Sequence, residues 1–221
     1  MAEALICAAK RSAIGRYAGS LATVRPDDLL AQVIRATLAE VPSLDTASID
    51  DVLMGCANQA GEDNRNVARM SVLLSGLPTS VPASTINRLC GSGLDAIGTM
   101  ARGIKAGELN VALAGGVESM TRAPFVMGKA ESAYGRTQIL EDTTMGWRFT
   151  NQALKAMYGV DTMPQTADNV AAEYGISREE QDLFAFNSQS KTAAAQKAGL
   201  FADEIVPIEI KDRRGNISYF D

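Results

Sequence analysis

Apolar and polar positions along the first half of the chain alternate between a strand-like and a helical period. ALICAA (residues 4–9) is a short apolar run bounded by Lys10 and Arg11, which predicts a strand. In DDLLAQVIRATLAE (residues 27–40), Leu30, Val33, Ile34, Thr37 and Leu38 recur at helical spacing. Pro26 and the aspartates that follow suit a helix start: the ring presets φ, and the acids complement the positive end of the helix dipole. DVLMGC (residues 51–56) predicts a second strand, and NVARMSVLLS (residues 66–75) a compact helix stopped by Gly76 and Pro78. SVPASTIN (residues 80–87) predicts a third strand, residues 91–106 a third helix and NVALAGG (residues 110–116) a fourth strand. Strands and helices alternating through short connections predict an α/β layered fold with parallel pairings.

The texture changes after Glu118. Residues 119–165 mix Gly, Pro, Met, Arg and aromatic residues with weak periodicity, as in TRAPFVMG and TTMGWRF. A loop this long is usually functional or disordered, and its aromatic and Met content argues against disorder. TADNVAAEY (residues 166–174) predicts a short helix, and Ser177-Arg178-Glu179-Glu180 is a capping box for a helix running towards Gly199. ADEIVPIEIK (residues 202–211) alternates like a strand, and RRGN is a turn before ISYFD. Two domains follow, residues 1–118 and residues 119–221, with no internal repeat or low-complexity tract in either.

Charge and cysteine usage narrow the classes. A net charge of −5 and a pI near 4.9 give no basic face for nucleic acid, so a polyanionic ligand has to be met by a local cluster of positive charge. Cys7, Cys56 and Cys90 have neither disulfide-type nor CxxC spacing, which predicts a reducing, cytoplasmic compartment. With no histidine and the cysteines far apart, no metal site is expected. The start has no basic n-region, and no apolar run approaches the ~20 residues of a membrane span.

Cys90 carries the sharpest chemistry. It ends an apolar run and opens the helix whose stripe is read as Leu94, Ile97, Ala101 and Ile104, with Gly107 at its end. Free N–H groups and the positive dipole end at a helix head stabilise a thiolate, and the same groups can hold an oxyanion on a bound acyl group. Gly91 and Gly93 remove side chains that would keep a substrate away. The alternative is a buried structural cysteine, the reading given to Cys7 and Cys56 on their apolar strands. A further alternative is a dinucleotide site: Gly91-Ser-Gly93-Leu-Asp-Ala96 matches GxGxxA, with Glu118 after the next strand as the ribose acid. Against it, Glu118 lies 27 residues beyond Gly91, and the strand before the glycines ends in the polar Asn-Arg-Leu-Cys.

INRLCGSGLDAI resembles the nucleophile segment of the thiolases, and AGGVESMTRAP resembles the segment after their next core strand. AAKRSAIGRYAGSL and LMGCANQAGEDNRNVARMSVLLSGLP are similar to the family's opening units, and TMPQTADNVAAEYGISREEQDLFAFNSQ to its loop domain. Within the family, EDTTMGWRF and YGVDTMPQTADNVA look most like the β-ketoadipyl-CoA (3-oxoadipyl-CoA) branch.

The resemblance implies a mixed five-stranded sheet layered with helices, with a loop domain inserted that binds CoA and substrate. It implies an acyltransferase with coenzyme A as co-substrate, no covalently bound cofactor, and a homodimer or homotetramer in the full-length form. The implied nucleophile is Cys90. Either Arg213 or Arg214 contacts CoA, and Met163 borders the acyl pocket. Arg148 is the candidate grip for a substrate's terminal carboxylate, since burying that charge unpaired is costly and an arginine binds it bidentately. The family's Gly-His-Pro base, Cys-x-Gly cysteine and Asn-containing motif belong to a C-terminal half and do not occur in these 221 residues. The expectation is an N-terminal portion, inactive by itself. A general 3-ketoacyl-CoA thiolase and a non-catalytic thiolase-like fragment remain alternatives.

Overall fold

The computed structural model describes residues 3–221. The chain forms two compact units, one running up to Pro124 and including Glu204–Asp221, the other Phe125–Asp203. The first unit begins with a two-residue strand, β1 (Arg11–Ser12), then α1 (Pro26–Ala39), β2 (Asp51–Gly55), α2 (Val67–Leu74), β3 (Ala83–Ile86), α3 (Ser92–Ala106) and β4 (Ala112–Gly116). β2 lies between β3 and β4 in an all-parallel three-stranded sheet. Its Val52 and Met54 join Leu30, Ile34, Ala68 and Val72 of α1 and α2 in one core cluster, while Leu53 packs with Ala96 and Met100 of α3 on the other face. A strand buried on both faces is apolar throughout, as DVLMG nearly is.

Side chains fix where α2 meets the sheet. Asn66 caps α2 by accepting from the Arg69 amide at 3.1 Å, and its own amide donates to the Ala83 carbonyl at 2.8 Å. The Thr85 hydroxyl donates to Asn66 at 2.9 Å and accepts from the Ala68 amide at 3.1 Å. The helix start and β3 are thereby one hydrogen-bonded unit.

The α/β class stands, with three corrections of detail. ALICAA forms no strand: Leu5 and Ile6 are exposed and the ladder is confined to Arg11–Ser12, which pairs in parallel with β7 (Ile205–Val206). An apolar run becomes a strand only where a neighbour supplies partners for its N–H and C=O groups, and among the described residues no strand pairs with these. For the same reason the hydrogen-bonded sheet has three strands among the described residues rather than five. Lastly, residues 204–221 belong with the first unit rather than with a domain starting at residue 119. Pro207 separates β7 from β8 (Ile208–Lys211), which pairs antiparallel with β9 (Ile217–Phe220). Ile208, fully buried, packs with Val24 and Leu29 and so anchors the hairpin.

The second unit pairs β5 (Phe125–Met127) with β6 (Leu140–Asp142) and continues through α4 (Gln152–Tyr158), α5 (Met163–Tyr174) and α6 (Arg178–Lys197). The Ser177–Glu180 capping box forms as expected, and Thr162 with Gln165 forms a second one that starts α5 three residues earlier than its apolar pattern indicates. No residue of α4, α5 or α6 is buried.

An ion network ties the loops of the first unit. Arg122 donates to both carboxylate oxygens of Glu62, Arg25 donates to Glu62 at 3.1 Å, and Arg25 also holds the buried Asp27 at 2.9 Å. The hydrogen bond from Arg122 holds the Glu62 carboxyl below its ordinary value of 4.5. A carboxyl lowered in the folded state stabilises fully above its unfolded value and loses that contribution as pH falls through the lowered one. Glu62→Gln is therefore expected to cost about 1 kcal/mol at pH 7. The gap should begin to narrow in acid near about pH 4, where the unfolded carboxyl takes up its proton, and close only once the lower-lying folded carboxyl is protonated as well. Urea titrations of both proteins across pH 3 to 7 check this; a pH-independent gap would refute it.

Candidate active site

The parallel strands β2, β3 and β4 end at one edge of the sheet, and the loops leaving them carry Cys90, Cys56 and Glu118. β3 runs through Asn87 into a tight turn in which Leu89 takes a φ of 50°. This left-handed conformation costs a non-glycine residue about 1 kcal/mol and has to be held. The Asn87 side chain accepts from the Leu89 amide at 2.8 Å. The buried Ser92 hydroxyl accepts from the Arg88 amide at 2.8 Å and donates to the Leu89 carbonyl at 2.6 Å. Arg88 reaches over to Asp95 of α3 at 3.0 Å. Cys90 sits at the crest of this turn, exposed, one residue before the N-cap Gly91. No side chain caps α3, so the positive end of its dipole is left to the space around the thiol.

Which face of α3 meets the sheet differs from expectation. Ser92, Ala96 and Met100 are buried, whereas Leu94 and Ile97 of the predicted stripe are 76% and 42% exposed. The helix turns its smaller face inward because its head lies directly on strand backbone. Gly55 of β2 and Gly116 of β4 are register partners. A methyl group on Gly55 would lie 2.5 Å from the Gly93 nitrogen, and one on Gly116 would lie 2.9 Å from the Gly55 carbonyl oxygen and 3.4 Å from the Gly93 Cα. Gly91 and Gly93 are less constrained, with nearest neighbours at 3.4 and 3.7 Å for an added Cβ. The glycines that place the helix head are thus on the strands, where glycine signals close backbone approach.

The other thiols are placed differently. Cys7 is exposed rather than on a buried strand, while Cys56 is fully buried just beyond β2. Burial, reinforced by the charges of Glu118 and Asp63, pushes the Cys56 thiol up to about 12. It is therefore inert at neutral pH and hydrogen-bonds to Asp63 at 3.8 Å. Ligand atoms of Cys56, Asp63 and Glu118 lie within 4.8 Å of one another. Their hydrogen bonds knit loops: Asp63 accepts from the Gly61 amide at 2.9 Å, and Glu118 accepts from the amides of Ala57 and Asn58 at 2.8 and 3.3 Å. Glu118 is thus tied to the loop after β2 and Gly93 is turned against β4, so neither is disposed as a dinucleotide fingerprint requires.

The remaining expected positions fall in both units. Arg213 and Arg214 are exposed at the tip of the β8–β9 hairpin, where Asp212 accepts from the Arg214 and Asn216 amides at 2.8 Å each. In the second unit, Met163 is the exposed first residue of α5, and Arg148 lies half-buried between β6 and α4. Asn87, Gly55, Gly116 and the loop contacts of Glu118 went unmarked in the sequence. The glycines at two strand ends were the available signal; Asn87 and Glu118 gave none that spacing alone could convey.

Comparison with known proteins bears on the same segments. The family profile "Thiolase, N-terminal domain" matches residues 4–221. A β-ketoadipyl-CoA thiolase of Acinetobacter baylyi is 65% identical over 215 residues, 97% of this chain and 54% of the relative. A 3-oxoadipyl-CoA/3-oxo-5,6-dehydrosuberyl-CoA thiolase of Escherichia coli is 58% identical over 218 residues, 99% of this chain and 54% of the relative. The crystal structure of the Bacillus anthracis acetyl-CoA acetyltransferase superposes with a TM-score of 0.87 at 33% identity, covering 100% of this chain and 54% of that one. The chain spans about half the length of the relatives it matches. Profile, relatives and superposition agree that the chain belongs to the thiolase family, in the part of the fold that the N-terminal domain occupies.

Proposed function

We propose that this chain is the acyl-accepting part of a thiolase that cleaves 3-oxoadipyl-CoA to succinyl-CoA and acetyl-CoA, with Cys90 as the nucleophile. One observation carries the proposal: an exposed thiol is held on a positive-φ turn at the uncapped head of α3. In this mechanism the Cys90 sulfur bonds to the 3-keto carbon, the bond between carbons 2 and 3 breaks, and carbon 2 takes a proton as acetyl-CoA leaves. The succinyl thioester on Cys90 then passes to the sulfur of a second CoA. Two acyl-transfer steps replace one difficult carbon–carbon cleavage. The chain has no histidine, so a histidine base in this scheme would be supplied by residues outside these 221. The names of the relatives support the substrate. Assembly into a dimer or tetramer is part of the same proposal.

Arg148 is proposed to bind the terminal carboxylate of the succinyl group, Met163 to border the acyl chain, and Arg213 or Arg214 to meet CoA. Losing a charge-assisted hydrogen bond of this kind costs about tenfold. Arg148→Met is thus expected to slow succinyl transfer from succinyl-CoA to Cys90 about tenfold, leaving acetyl transfer from acetyl-CoA within about twofold. Intact-mass time courses read both rates. Equal losses with both donors would remove Arg148 from the site.

A further inference from the structure

Beyond the ends of the sheet ladder, side-chain hydrogen bonds connect the three strand ends. The backbone pairing finishes with Cys56 N–H to the Ile86 carbonyl and Val117 N–H to the Gly55 carbonyl, each at 3.0 Å. From there Glu118, following β4, accepts from the amides of Ala57 and Asn58. The Ala57 carbonyl in turn accepts from the Asn87 side-chain amide at 2.9 Å, and the Asn87 side-chain oxygen accepts from the Leu89 amide at 2.8 Å. The sequence of bonds runs from β4, through the loop after β2, to the residue next to Cys90.

We infer that Asn87, braced by Glu118 through residues 57–58, is a positioning residue that sets the Cys90 turn against the sheet; this rests on the assignment of Cys90 as nucleophile. Two features of the chemistry carry the inference. The side chain at position 87 has to donate to a carbonyl and accept from an amide at once, and a carboxamide does both at this length. Aspartate offers only the acceptor, and alanine neither. The bond it accepts also falls on Leu89, the residue held at positive φ, so it acts where the turn stores strain. Without that bond Leu89 relaxes towards negative φ, and the adjacent thiol leaves its place at the helix head.

The test uses the 221-residue chain and iodoacetamide as the probe, with peptide mapping to follow Cys90 and the exposed Cys7 separately, beside amide hydrogen exchange at Leu89. In the parent, the assignment of Cys90 as nucleophile leads to the expectation that Cys90 alkylates faster than Cys7. Asn87→Ala is expected to slow Cys90 alkylation about fivefold, leave Cys7 unchanged and remove exchange protection at Leu89. Asn87→Asp, which keeps the acceptor for Leu89 but loses the donor to Ala57, restores the Leu89 protection and only part of the rate. Glu118→Gln shifts both readouts in the same direction by about twofold, since one of its two amides loses a charged acceptor. An unchanged or faster Cys90 with Leu89 still protected in Asn87→Ala overturns the inference, as does an aspartate variant no better than alanine. Parity of Cys90 and Cys7 in the parent would instead count against the nucleophile. Leu89 exchange would still report on Asn87, so the two failures are distinguishable.

Discussion

Cys90→Ser is expected to abolish acyl capture from acetyl-CoA or succinyl-CoA, a loss of at least about a thousandfold. Sulfur is intrinsically a far stronger nucleophile than a serine hydroxyl, which has almost no alkoxide near neutral pH. The chain has no histidine to take the serine proton, and among the described residues no carboxylate hydrogen-bonds to position 90. Geometry alone therefore cannot activate the hydroxyl. Two internal comparisons sharpen the result. Cys7→Ser, at an exposed position, should leave capture unchanged. Cys56, fully buried and with its thiol pushed up to about 12, should stay unlabelled while the chain is folded. Intact mass and peptide mapping after incubation with each donor decide it. An acyl group mapped to Cys7 or Cys56, or a Cys90→Ser chain that is acylated as fast as the parent, would dismiss the assignment.

Much of the first unit was legible because local and tertiary signals agree there. α1, α2, α3 and the sheet strands appear within a few residues of their apolar patterns, since each pattern states which face is buried. ALICAA shows where this stops: its composition is right for a strand, but a ladder needs a second strand and composition cannot supply one. α3 is a subtler case, with two apolar faces, Leu94–Ile97 and Ala96–Met100. Periodicity ranks the bulkier face first, while the sheet selects the smaller one because backbone approaches backbone beneath it. The candidate site follows the same division. Cys90 was readable from its place before a helix, and motif likeness identified the family. Asn87 and Glu118 act across 30 and about 60 residues of sequence, through hydrogen bonds that exist only once three strand ends are aligned.

The same close approach makes Gly55→Ala the most damaging single methyl group the first unit can receive at this edge. The added Cβ would lie 2.5 Å from the Gly93 nitrogen and nearer still to the Ser92 carbonyl carbon, both backbone atoms of the α3 head. No rotamer change relieves such a clash, so the helix must lift from β2 and carry the Cys90 turn with it. Overpacking of this kind costs about 3 kcal/mol or more when backbone has to move. For a unit of this size that is a fall in melting temperature of roughly 6–12 °C. Gly98→Ala in the middle of the same helix provides the opposite expectation. Its added methyl meets only the end of the exposed Arg102 side chain, at 3.4 Å. It also removes a helix-interior glycine, which stabilises by about 0.5–1 kcal/mol. Thermal melts of the two variants should therefore move apart in sign. Gly55→Ala should in addition slow Cys90 alkylation, because Ser92, whose hydroxyl holds the turn through Arg88 and Leu89, is among the groups displaced. A Gly55→Ala chain that melts with the parent and keeps its Cys90 rate would mean that the helix head does not rest on the strand glycines.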